Sequence, residues 1–181
     1  MRSALVVIDV QIGILEGPPA AFEPSTLLAN IGLLLSRARD SAVPVVFVKH
    51  DGPPEHRVAK GSRGWAIAPQ VAPLAGETVV HKRECDAFYE TELNAVLRGH
   101  AVKRLVVAGL MTQYCIDTTC RRAFSLGYDV VLAGDAHSTG DTAALTAAQI
   151  IAHHNASLDD FGGGAHTIRV VPALGIAFDR A

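Results

Sequence analysis

The sequence predicts a single α/β domain: a Rossmann-like three-layer sandwich with a parallel six-stranded sheet of order 3-2-1-4-5-6. Three observations predict it. Short, continuous apolar runs such as ALVVI at Ala4–Ile8 have the length and β-branched content of strands buried on both faces. They alternate with segments of helical period, which implies right-handed βαβ crossovers. The chain has 181 residues, 49% of them apolar, which suits one core and one domain over residues 1–181.

The elements follow in order. Strand one ends at Asp9, and the Gly- and Pro-rich stretch from Gly13 to Pro24 reads as a loop. Ser25 is placed to cap a helix over Thr26–Ser41, where Leu27, Ile31, Leu34, Leu35 and Ala38 form one apolar stripe. Val45–Val48 is the second strand, followed by Lys49 and His50. Asp51 to Pro73 is too long for an ordinary connection and is expected to be functional. Thr78–His81 is the third strand, with Lys82 at its end, and Thr91–Leu97 is a short helix. Leu105–Ala108 is the fourth strand; Gly109 and a turn lead to a helix from about Cys115 to Leu126, closed by Gly127. Val130–Ala133 is the fifth strand, Asp141 can cap a last helix reaching about Leu158, and Ile168–Val171 is the sixth strand.

Composition narrows the function. The net charge is −2 and no Lys/Arg run occurs, so neither nucleic-acid binding nor attachment to a charged membrane is supported. No apolar run reaches the roughly 18–20 residues that span a bilayer. Three cysteines without a CxxC pair argue against a disulfide framework or zinc ribbon. With no signal peptide at the N-terminus, a cytoplasmic protein is expected.

In an open parallel sheet, ligands bind at the carboxyl ends of the strands where the order reverses. Here that point lies between strands one and four. Asp9 ends the first, Gly109 to Cys115 follow the fourth, and Lys82 ends the third. A lone cysteine is ordinarily a packing residue, but at a helix start beside the switch point the N–H groups and helix dipole favour a thiolate. Asp9, on an apolar strand, can serve as the base that takes the thiol proton, and Lys82 can hold that carboxylate and favour the thiolate. Cys120 lies around the helix from Cys115 and reads as core, and Cys85 reads as a bystander thiol near the site. A thiol-redox protein would then lack a close resolving cysteine.

These stretches resemble a known family. Val106–Asp135, VVAGLMTQYCIDTTCRRAFSLGYDVVLAGD, is similar to the nucleophile segment of isochorismatase-like cysteine hydrolases. Val7–Gln11, VIDVQ, resembles the family's Asp-x-Gln start, and His81–Leu93, HKRECDAFYETEL, its lysine segment. The resemblance spans nearly the whole chain. It implies Asp9 as base, Lys82 as electrostatic partner and Cys115 as nucleophile, with the Met111 and Cys115 N–H groups as oxyanion hole and a cis peptide bond at Leu110–Met111. It implies hydrolysis of a small amide or ureido C–N bond through a thioester, and a homo-oligomer. Isochorismatase itself cleaves a vinyl ether without a cysteine, so Cys115 argues against that chemistry. A non-catalytic binding protein that keeps the fold has no need of all three chemical residues.

The expected substrate-binding residues are Gln11, Trp65, Phe88, Tyr89, Gln113 and Tyr114. No cofactor is called for. His50, Asp51, Glu55 and His56 could suggest a metal, and nicotinamidases of the family carry an Asp-x-His…His set there. Val48 stands where that aspartate should be, so the cluster reads as a polar rim of the pocket and no metal site is expected.

Overall fold

In the computed structural model, which describes residues 1–179, β1 (Ser3–Ile8) is buried along its whole length. Its side chains alternate between two apolar layers. Leu5 and Val7 face α2 (Pro24–Asp40), which contributes the predicted stripe of Leu27, Ile31, Leu34, Leu35 and Ala38. Ala4, Val6 and Ile8 face the opposite layer, with Leu93 and Leu97 of α3 (Leu93–Gly99) and Cys120 and Ala123 of α4 (Asp117–Ser125). Burying a leucine in such a layer stabilises the fold by about 1.5–3 kcal/mol. Cys120 is fully buried, as expected.

The remaining strands are β2 (Val45–His50), β3 (Thr78–Lys82), β4 (Arg104–Leu110), β5 (Asp129–Ser138), β6 (Phe161–Gly162) and β7 (Thr167–Val171). The sheet order is β3-β2-β1-β4-β5-β7-β6. The six predicted strands hold their predicted order and run parallel; the short β6 adds an antiparallel edge. Residues 180–181 of the expected domain lie outside the described residues.

Local differences have local causes. The stretch expected to be a loop begins with a short helix, α1 (Ile12–Glu16), which buries Ile14 and Leu15. Pro24, not a Ser25 cap, opens α2, since proline's fixed φ suits the first helical turn. The last helix, α5 (Ala147–Leu158), starts with a Thr146–Gln149 capping box, while the Asp141 carboxylate accepts the Ala147 N–H at 2.7 Å. A π-helical turn over Thr112–Ile116 precedes α4, so Cys115 lies within it and not at the first residue of an α-helix. Gly109 is required before that turn: its φ is 127°, and a Cβ there would lie 2.0 Å from the Ile8 carbonyl oxygen.

Candidate active site

Asp9 follows β1 with a left-handed φ of 52°, a conformation that aspartate tolerates better than most residues. Its N–H donates to the Val48 carbonyl at 2.9 Å, which ties it to β2. Lys82 ends β3, two strands away. Both are 2% exposed, and Lys82 Nζ lies 2.7 Å from Asp9 Oδ2. The same ammonium donates to the Glu84 carbonyl at 2.9 Å and to Cys115 Sγ at 3.2 Å. Asp9, Lys82 and Cys115, distant in sequence, therefore meet around one charge. Asp9 Oδ1 is buried with no hydrogen-bond partner among the described residues. Buried polar atoms are nearly always paired, and an orphaned carboxylate oxygen beside a thiol is a ready proton acceptor.

Burial raises the Asp9 pKa to about 8, with Cys115 adding to the rise and Lys82 opposing it. Burial works against the Lys82 charge, but Asp9 and Cys115 outweigh it and hold the ammonium above its ordinary value. Cys85 lines the same cavity as Cys115. The interaction with Cys85, then burial, raises the Cys115 pKa, while the interaction with Cys115 lowers the Cys85 pKa to about 6. Lys82 Nζ touches Cys115 Sγ directly and draws negative charge back towards it.

Asp9, Cys115, Cys85, Met111 and Tyr114 line a cavity of about 220 Å³, closed by His50, His56 and Arg57. Leu110–Met111 is a cis peptide bond, as the resemblance implies, and the Met111 N–H donates to no backbone acceptor among the described residues. Met111 O accepts the Tyr114 and Ile116 N–H groups, which winds the π turn around Cys115. Behind the turn, Thr112 Oγ1 lies 2.9 Å from His137 Nδ1, and His137 Nε2 lies 2.8 Å from Asn155 Oδ1. Burial lowers the His137 pKa to about 4, so the ring is neutral, donates to Asn155 and accepts from Thr112.

The residues expected to bind substrate are scattered. Tyr114 lines the cavity. Gln11 is fully buried and clips the backbone together: Nε2 donates to the His50 and Trp65 carbonyls, and Oε1 accepts the His50 N–H. Trp65 lies outside the cavity lining. Lys49 Nζ sits 3.0 Å from its ring centroid, His81 stacks on it at 5.8 Å, and its Nε1 donates to Asp51 at 2.7 Å. Phe88 packs in the core against Tyr128, and Tyr89 lines a polar groove with Asp51, Lys60, His81 and Lys82. The Gln113 amide is buried with no hydrogen-bond partner among the described residues and is not part of the cavity lining. Sequence reasoning missed Ile14 and Arg57, while Cys85 lies near the site as expected. The length of the 51–73 insertion was the only signal for Arg57.

The insertion is held in place by close backbone packing. The Arg57 carbonyl lies against Gly13 and Gly64, where a Cβ would come within 2.3 Å and 2.1 Å of its oxygen. Lys82 Nζ also lies 3.4 Å from His50 Nδ1, and the Val58 N–H donates to His56 Nδ1 at 3.3 Å. An N–H can only donate, so the His56 ring accepts at Nδ1 and carries its hydrogen on Nε2. Burial, then the Lys82 charge, lowers the His50 pKa.

A model of the isochorismatase domain matches residues 3–157. The chain is 39% identical over 138 residues to a streptothricin hydrolase of Streptomyces noursei, covering 76% of this chain and 50% of that protein. A second streptothricin hydrolase of that organism is covered to 55%, so the chain spans about half the length of these relatives. It is 27% identical to a ureidoacrylate amidohydrolase of Pseudomonas syringae, with 81% of this chain and 75% of that protein covered. A crystal structure of an isochorismatase from Pseudomonas putida superimposes with a TM-score of 0.90 at 32% identity, covering 97% of this chain and 90% of that one.

Proposed function

We propose that this chain, which belongs to the isochorismatase family, is a cysteine-dependent amidohydrolase that cleaves a small amide or ureido C–N bond. One observation carries the reading: a single ammonium, Lys82 Nζ, touches both Asp9 Oδ2 and Cys115 Sγ while Asp9 Oδ1 stays unpaired. Nucleophile, base and electrostatic partner are thereby within reach of one another. The amidohydrolase among the relatives supports the bond type. The cavity supports a small substrate, since about 220 Å³ is below the roughly 300–1,000 Å³ of pockets for drug-sized ligands.

The steps follow from the groups present. Asp9 takes the Cys115 proton, and Lys82 stabilises the thiolate as it forms. The sulfur attacks the carbonyl carbon, and the Met111 and Cys115 N–H groups hold the resulting oxyanion. The C–N bond breaks as Asp9 returns the proton to the leaving nitrogen, which departs as ammonia or an amine. Water, deprotonated by Asp9, then attacks the thioester; the acid leaves and the Cys115 thiol is restored. Thr112, held by His137 and Asn155, supports the turn that carries both N–H groups. A homo-oligomer is part of the same reading, supported by Tyr89 and Tyr114, which are 53% and 49% exposed.

An ammonia-release screen over small carboxamides and ureides tests the function, run in parallel on the wild type and Cys115→Ala. Release by the wild type alone is the expected result. Equal release by both proteins overturns the thioester route.

A further inference from the structure

We propose that Arg57, flanked by His50 and His56, is an anion subsite, and that the substrate carries a carboxylate a few bonds from its scissile C–N bond. The inference rests on the function proposed above and narrows it to a substrate class.

Arg57, His50 and His56 line the same cavity as Cys115. Arg57 has five N–H groups. Nη1 donates to the Pro18 carbonyl at 3.1 Å and Nη2 to Met111 Sδ at 3.3 Å, both neutral acceptors. No carboxylate pairs with Arg57 among the described residues. Its partial burial works against the guanidinium charge, and no anion offsets that cost. His50 and His56 line the same cavity, and His56 carries its hydrogen on Nε2 because its Nδ1 already accepts the Val58 N–H.

The charges agree with the donors. Among the described residues, Arg57 is the one Lys or Arg side chain that lines the cavity, and the one carboxylate lining it, Asp9, is already engaged with Lys82. Such a site attracts an anion and offers it planar, charge-assisted hydrogen bonds. Position sets how far the anion stands from the reacting carbon. Arg57 touches the side chain of Met111, whose own N–H faces no backbone acceptor. The two subsites are therefore neighbours, and in a cavity of about 220 Å³ only a short substrate reaches both. The packing of the Arg57 backbone against Gly13 and Gly64 fixes where the guanidinium starts.

The test uses N-carbamoylglycine and its primary amide, which differ only in a carboxylate against a neutral carboxamide. Equilibrium binding is measured by calorimetry on the turnover-dead Cys115→Ala protein. The anion is expected to bind about ten-fold tighter or more than the neutral probe, with the preference shrinking as salt rises. Adding Arg57→Gln should bring the ratio to within about three-fold, and Arg57→Lys should keep part of it, because a point charge lacks the planar fork. Thermal melts check folding; if Arg57→Gln fails to fold, the intermediate ratio of Arg57→Lys carries the test. Equal affinity for both probes, binding of neither, or a ratio unmoved by either substitution overturns the subsite. Binding does not depend on turnover, so the subsite and the hydrolase reading fail separately: a wild type that binds the anion selectively and releases no ammonia from any amide or ureide keeps the first and loses the second.

Discussion

Lys82 Nζ lies 3.2 Å from Cys115 Sγ, although the two residues come from opposite sides of the sheet's switch point. β3 delivers the lysine, and the π turn after β4 delivers the thiol. Because the same ammonium holds Asp9, none of the three residues can be altered without changing the environment of the others.

Removing the triad members singly should therefore show non-additive losses. Cys115→Ala is expected to abolish turnover while melting like the wild type. Asp9→Asn and Lys82→Ala should each lower kcat/KM by about 10² or more, and the double variant should be little worse than the weaker single one. Independent losses that multiply would show that the three do not act together.

The pH profile follows from burial. Asp9 accepts a proton only when ionised, and its pKa stands near 8. The kcat/KM of the wild type should rise with pH through about 8 and level off above it. Lys82 opposes the rise in the Asp9 pKa, so the residual activity of Lys82→Ala should have its acid limb at higher pH. A limb that stays put, or moves down, contradicts this electrostatic account.

Cys85 should govern how readily Cys115 ionises. With a pKa near 6 and an exposed side chain, it should be alkylated first at neutral pH, while buried Cys120 stays unmodified. Cys85→Ala removes the neighbour that raises the Cys115 pKa most, so Cys115 should then ionise at lower pH and be alkylated faster. Peptide mapping after timed iodoacetamide treatment measures both effects. An unchanged Cys115 rate would disprove the coupling.

Turnover is expected to survive exhaustive chelation. A divalent cation between His50 and His56 would sit beside the Lys82 ammonium, 3.4 Å from His50 Nδ1, and near the Arg57 guanidinium. That repulsion disfavours the site electrostatically. Stoichiometric metal in the purified protein, with activity lost on its removal, is the contrary result.

Light scattering at micromolar concentration should give a mass above that of one chain, as the homo-oligomer reading requires. Exposed Tyr89 and Tyr114 are the surface residues expected to lose accessibility on assembly. A monomer mass removes the oligomer from the proposal.

The sequence by itself determined the sheet and the centre of the site. Apolar runs and helical stripes are local patterns, and the crossover rule converts them into a strand order that carries Asp9, Lys82 and Cys115 to one edge. Only the tertiary structure decided what surrounds them. The 51–73 insertion has no period to read, and its path depends on contacts with distant backbone. Gln11 binds the Trp65 and His50 carbonyls, while the Arg57 carbonyl rests against Gly13 and Gly64. Those contacts turn Trp65 towards Lys49 and His81 and bring Arg57 and His56 to the cavity. Phe88 entered the core for a similar reason: an aromatic near a catalytic lysine has the same local signature whether it faces substrate or Tyr128. Side-chain direction in an irregular segment is set by what it packs against, and that is a property of the whole chain.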